Sequence, residues 1–92
     1  MARSIVDDRQ RCYKCGTIFN LHKHHIYGGP NRKVSEREGF FIYLCARHHN
    51  LSDEGIHFDK SFDLEVKQEC QSKYEESHSR DEFMELIGRN YL

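Results

Sequence analysis

Seven of the eleven histidines and cysteines in this 92-residue chain fall in three short runs. Cys12-Tyr13-Lys14-Cys15 comes first, His24-His25 second, and Cys45-Ala46-Arg47-His48-His49 third. Thiolates and imidazoles at Cys-x-x-Cys and Cys-x-x-His spacing are the ligands of a closed tetrahedral zinc site. Cys12, Cys15 and Cys45 supply three of the four, and either His48 or His49 can complete the set. The remaining imidazoles suit an open site for a second divalent ion, because nitrogen ligands accept several first-row metals. Two metal sites in one small domain are expected, one holding the fold and one doing chemistry.

These residues need elements to position them. Gly16, directly after Cys15, supports the tight turn of a zinc knuckle. Ile18 to Tyr27 mixes apolar and β-prone residues with polar ones and reads as a strand that delivers the histidines. Gly28-Gly29-Pro30-Asn31 ends it sharply. A basic loop through Arg32, Lys33 and Arg37 follows, closed by Gly39. Phe40 to Leu44 is an unbroken apolar run of strand length and the expected second strand of a hairpin. Successive strand side chains point to opposite faces, so His24 and His25 can take different roles only where the strand is bulged or ending.

Cys45 to Leu51 is expected to open a short helix stopped by Gly55. Leu64, Val66, Cys70 and Tyr74 support a longer helix from about 62 to 76. Ser79-Arg80-Asp81-Glu82 is a capping box that starts a third helix, with Gly88 at its end. The lead before Cys12 is polar and reads as a frayed helix or a disordered segment. Cys70, outside any ligand spacing, reads as a half-buried packing residue, and His22 and His78 read as exposed. The fold class expected is α+β: one domain over 1–92, with a hairpin core at about 12–58 and a helical C-terminal extension at about 59–92.

A chain of this length buries only about 60–65% of its unfolded surface, so a metal staple would contribute much of its stability. Three of the four cysteines sit in ligand spacing, which argues against a disulfide framework. No segment resembles a signal peptide or a membrane span, so the expected compartment is the reducing cytoplasm. The net charge of −1 hides an asymmetry: residues 1–49 carry nine Lys/Arg against four Asp/Glu, and residues 50–92 carry five against eleven. A basic half beside the histidines suits a polyanion such as nucleic acid.

Cys12-x-x-Cys15, His24-His25-Ile26 and Leu44-Cys45-x-x-His48-His49 together resemble the HNH nucleases of the ββα-metal (His-Me finger) group, in the zinc-knuckle variant typical of phage-associated members. The resemblance covers about Cys12 to His57. It implies structural zinc on Cys12, Cys15, Cys45 and His48. It implies a catalytic divalent ion, Mg²⁺ or Mn²⁺, on His24 and His49, with His57 as an added candidate ligand and His25 as general base. A histidine of ordinary pKa can accept a proton from water at neutral pH, and Arg32, Lys33, Arg37 and Arg47 are the candidate phosphate contacts. The implied activity is metal-dependent cleavage or nicking of DNA, without membrane association, by the chain alone, as a homodimer or with a phage or host protein. The family's Asn a few residues before the Leu-Cys element is replaced here by Phe40 or Phe41, leaving Asn31, Asn50 or Glu38 as substitutes. The alternative is a zinc-stabilised module that binds nucleic acid or protein without cutting it.

Overall fold

A computed structural model of the chain describes residues 3–51 and 55–92. The architecture is α+β: a two-stranded antiparallel hairpin with helices packed around it. Strand β1 is Leu21–His25 and strand β2 is Phe41–Cys45. The register pairs Leu21 with Cys45, His24 with Ile42 and His25 with Phe41. Strand β1 is shorter than the segment 18–27 expected from composition. Pairing starts only where β2 ends, so Ile18 and Phe19 stay outside the ladder, 67% and 70% exposed.

The segment between the strands is the main departure from the sequence reading. Instead of a basic loop, a 3₁₀ turn at Gly29–Asn31 leads into helix α1, Arg32–Glu38. Pro30 fits the opening of such a turn because its fixed φ is preorganised and its missing N–H is not needed there. The fully buried Ser35 holds α1 down, its hydroxyl donating to Tyr27 O at 2.7 Å and accepting from Tyr27 N at 3.3 Å. Asn31 Nδ2 donates to Ile87 O at 2.9 Å, tying the start of α1 to the C-terminal helix. Gly39 ends α1 with φ +80, and any Cβ there would collide with the Arg3 carbonyl. The described lead is ordered against this edge: Ile5 N donates to Gly39 O at 3.0 Å and Ser4 Oγ to Phe41 O.

Past β2, Arg47–Leu51 is one π-helical stretch rather than an ordinary short helix. Helix α2, Lys60–Tyr74, starts two residues earlier than its apolar spacing suggests, because Asp59 caps it by accepting from Phe62 N at 3.0 Å. Helix α3, Arg80–Ile87, carries the expected capping box from Ser79 and Glu82 and ends at Gly88. Among the described residues no helix is long and apolar enough to cross a membrane.

The C-terminal helices share the hairpin's core. Ile26, Tyr27, Phe40, Ile42 and Leu44 pack with Phe62, Val66, Cys70, Tyr74, Phe83 and Ile87. Cys70 is fully buried rather than half-buried, and burial pushes its thiol up to about 12, which leaves it protonated and inert. Gln71 is also fully buried, with its amide saturated: Nε2 donates to Glu75 and Asn90 at 2.7 and 2.8 Å, and Oε1 accepts from Tyr91 N at 2.8 Å. The network fastens the C-terminal tail to α2 without an orphaned polar atom. Phe83, 0% exposed, meets Tyr27, Phe40 and Tyr74 at ring distances of 5.5, 6.1 and 5.9 Å. Phe83→Ala is expected to cost about 3–5 kcal/mol in urea unfolding of the metal-loaded chain, and a loss below about 1 kcal/mol would show that α3 is not part of the cooperative core.

Candidate metal centre and active site

The knuckle forms because Cys12 N donates to Thr17 O and Gly16 N to Cys12 O, both at 2.8 Å, with Gly16 at φ +79. Tyr13 N donates to Tyr43 O at 2.8 Å and docks this turn against β2. The turn therefore sits beside Cys45, the last residue of β2. Cys15 Sγ lies 3.8 Å from Cys45 Sγ, and His48 Nδ1 lies 3.3 Å from Cys45 Sγ and 3.7 Å from Cys12 Sγ. One ligand atom from each of Cys12, Cys15, Cys45 and His48 falls within 4.8 Å of the other three. Sulfurs bonded at about 2.3 Å to a tetrahedral ion stand about 3.8 Å apart, with slightly shorter sulfur-to-nitrogen edges. The four residues are thus spaced to hold a metal ion such as zinc, and geometry selects His48 over His49 as the fourth member.

Electrostatics agrees with a cation at the centre. Burial disfavours the Cys12 thiolate, but the backbone amides of Cys45, Cys15 and Lys14 outweigh it and lower the thiol's pKa. Cys45 moves the other way, raised by burial and by the neighbouring Cys12 and Cys15 sulfurs. Three sulfurs this close cannot all ionise unless positive charge lies between them.

Consecutive residues on a helical stretch diverge by about a quarter-turn, so His48 and His49 face different neighbours. His49 joins His24 and His57, whose ligand nitrogens also lie within 4.8 Å of one another. The backbone folds back to bring them together: Ile56 N donates to His48 O at 2.8 Å and His57 N to His49 O at 3.2 Å. His49 Nε2 and His57 Nε2 are 3.0 Å apart, the spacing of two nitrogens bonded at about 2.1 Å and at right angles to one ion. His24 Nε2 is buried and has no hydrogen-bond partner among the described residues. A buried nitrogen lone pair left unpaired is costly, and an ion held by the three imidazoles would satisfy it. Burial, reinforced by the neighbouring histidines, lowers His24 to about 3 and His49 to about 4. Both are neutral near pH 7 and compete little with protons for a metal.

The pleat of β1 sorts the remaining residues. His22 and His24 project to one face, Lys23 and His25 to the other. Lys23 Nζ pairs with Glu36 on α1 at 2.7 Å, while His25 Nε2 stands 3.7 Å from Glu36 Oε1 and makes no hydrogen bond among the described residues. Burial lowers the pKa of His25, with help from Arg32 and Lys23 and against the pull of Glu36, which keeps the ring neutral and able to accept a proton. Because β1 ends at His25, opposite faces do not separate the pair: His24 and His25 both line two clefts of about 250 and 290 Å³.

Of the four cations expected to meet phosphate, Arg32 lines one of these clefts together with His24, His25, His49 and His57. Arg37 instead pairs with Glu38 at 3.0 Å, Lys33 is exposed on α1, and Arg47 is exposed on the π-helical stretch. None of those three lines either cleft. Sequence reading missed Lys60, Asp63 and Lys67 of α2, which line the second cleft, as well as Glu36 beside His25 and His22 beside His49. Only the fold-back of 55–57 and the docking of α2 bring the α2 residues there. Of the proposed substitutes for the family's Asn, Asn31 is engaged with Ile87 O and Glu38 with Arg37. Asn50 is exposed, and the neighbour of the His25 ring nitrogen is Glu36.

An α+β hairpin and helices around a Cys₃His group that could hold zinc are compatible with a zinc-stapled ββα module. Comparison of the chain with protein-family models, curated proteins and solved structures found no match.

Titrating the metal-free chain with Co²⁺ is expected to give the sulfur-to-metal charge-transfer absorption of a thiolate site, release protons and raise the melting temperature; Cys45→Ser should remove most of that absorption. Acid sensitivity should carry a His24 component. An unfolded histidine protonates near 6.5 while folded His24 resists until about 3, so the contribution is intact above pH 6.5 and lost as pH falls through that window. With the second ion withheld, urea unfolding between pH 6.5 and 5.5 should lose up to about 1.4 kcal/mol per pH unit from this residue, and His24→Gln should show a correspondingly shallower slope.

Proposed function

We propose that the chain is a metal-dependent nuclease of the HNH, ββα-metal type, which hydrolyses phosphodiester bonds of DNA. The observation that carries the reading is the group of His24, whose buried Nε2 has no hydrogen-bond partner among the described residues, with His49 and His57, beside His25 in one cleft. Zinc on Cys12, Cys15, Cys45 and His48 has a structural role in this reading: it needs all four ligands and leaves no position for substrate. His24, His49 and His57 would hold the catalytic ion.

Bound by these residues, a divalent ion would supply Lewis-acid stabilisation of the oxygen that leaves phosphorus. His25 takes the proton of the attacking water, a role that requires the neutral ring its burial favours. Arg32, from α1, and Lys60 and Lys67, from α2, line the clefts from two sides and meet the phosphates flanking the scissile bond. Such contacts position the strand and carry little sequence information. The donor set also bears on the metal. Mg²⁺ prefers oxygen ligands, whereas three imidazoles suit later first-row ions such as Ni²⁺, Co²⁺ or Zn²⁺. Among added cofactors, those ions and Mn²⁺ therefore fit the site better than Mg²⁺.

The competing reading, a zinc-stabilised binding module, draws on one feature: Glu36 is engaged by Lys23, and His25 Nε2 has no hydrogen-bond partner among the described residues. Cleavage separates the two. Zinc-loaded protein is expected to nick supercoiled plasmid when Mn²⁺, Co²⁺ or Ni²⁺ is added, with a weaker response to Mg²⁺. His25→Ala should lose at least about 10²-fold in rate with its fold and zinc content unchanged. Equal inertness of both proteins on duplex and single-stranded DNA under every ion would favour the binding module.

A further inference from the structure

His22, like His25, is a β1 histidine that neither metal group uses, and it does not point freely into solvent. Two residues before His24 on the strand, it shares that residue's face. Its Nδ1 lies 2.9 Å from Nδ1 of His49, and the two rings meet edge to face with centroids 5.0 Å apart. The other nitrogen of His49, Nε2, approaches His57 Nε2 at 3.0 Å, and His49 and His57 group with His24. The His49 ring is therefore held at both ends, one nitrogen on His22 and the other at the shared centre.

A neutral imidazole carries one proton on one of its two nitrogens, and a ligating nitrogen must be the bare one. For His49 to offer Nε2 to a cation, its proton must sit on Nδ1. A proton on Nδ1 needs an acceptor, and among the described residues the partner at that atom is His22 Nδ1. His22 must then itself be bare at Nδ1 and protonated at Nε2. The opposite arrangement, with His22 donating, would leave the His49 proton on Nε2, aimed into the metal group and blocking it.

We propose that His22 is a positioning residue of the three-histidine centre: it accepts the Nδ1–H of His49 and so holds His49 in the tautomer and ring orientation whose Nε2 binds a divalent cation. This rests on reading His24, His49 and His57 as a metal site. A hydrogen-bond acceptor behind a ligating imidazole is worth roughly 10–100-fold in metal affinity. It costs nothing in coordination number, since His22 itself stays off the metal. The same contact links β1 to the π-helical stretch, so the strand that presents His24 also aims His49.

The test is calorimetric titration of the zinc-loaded full chain with Co²⁺ at pH 7.5, comparing the unaltered protein with His22→Ala and His22→Asn. The Asn side chain places its Oδ1 near the position of Nδ1 and keeps the acceptor. A second-site affinity lowered 10–100-fold in His22→Ala, and restored to within about threefold by His22→Asn, is the expected result. Nitrogen-15 spectra of the cobalt-free, zinc-loaded chain should show His49 protonated at Nδ1, a signature that a merely space-filling His22 would not set. If the unaltered chain binds zinc and no second ion, the three-histidine reading falls and this proposal with it. A second ion bound equally well by the unaltered chain and by His22→Ala would overturn the role of His22 while leaving the metal site standing. Equal weakening by both substitutions would also overturn it, by showing that ring packing rather than the acceptor matters. If His22→Ala does not fold, the spectrum of the unaltered chain still decides, since a His49 proton found on Nε2 contradicts the proposal.

Discussion

Convergence of the Cys12, Cys15, Cys45 and His48 ligand atoms within 4.8 Å is the constraint on which the rest of the molecule depends. These residues come from two segments, 12–15 and 45–48, about thirty positions apart, and of the four Cys12 and Cys45 also belong to the buried core with Leu44 and Ile56. Ile18 and Phe19, between the knuckle and β1, face solvent. A cation at the centre of the four would close loops whose entropy the thin core is poorly placed to offset. It would also fix the direction in which the chain leaves β2, and that direction decides where His49 goes.

The two histidine-bearing groups are coupled by geometry rather than by shared ligands. His48 and His49 are adjacent, so holding one in the Cys₃His group orients the other a quarter-turn away, toward β1. The last carbonyls of a helical stretch have no partner within it and are open to other donors. Those of His48 and His49 accept from the amides of Ile56 and His57, and His57 is thereby delivered to its neighbours. Burial then does the electrostatic work. His24 and His49, lowered by burial and by the neighbouring imidazoles, rest in the neutral state that a cation requires.

The helical C-terminal part is scaffold for this arrangement. Helix α2 forms one wall of the second cleft through Lys60, Asp63 and Lys67, and it is anchored from behind by the Tyr27 hydroxyl, which donates to Lys67 O at 2.6 Å. Helix α3 reaches the site only indirectly, through Ile87 and Asn31 to the start of α1, where Arg32 stands. The charge asymmetry of the sequence is thus blurred in space, because lysines from the acidic half complete the basic surroundings of the histidines.

Much of this was legible in the chain itself. Ligand type and spacing identified Cys12, Cys15 and Cys45, because a knuckle and a Cys-x-x-His turn are local structures whose geometry follows from a few adjacent residues. The apolar run at 40–44 and the capping box at Ser79 were equally local and located β2 and α3 to within a residue. Helix α1 was not legible: its sequence is polar and basic, and what makes it a helix is the burial of Ser35 against Tyr27, a contact made across the hairpin turn. The partnership of His22 with His49, the approach of Glu36 to His25, and the presence of Lys60 and Lys67 at the second cleft were decided by tertiary structure alone. Each depends on which way a side chain faces once distant segments have docked. Spacing along a chain specifies the kind of ligand available, but only packing in three dimensions specifies the direction of a lone pair.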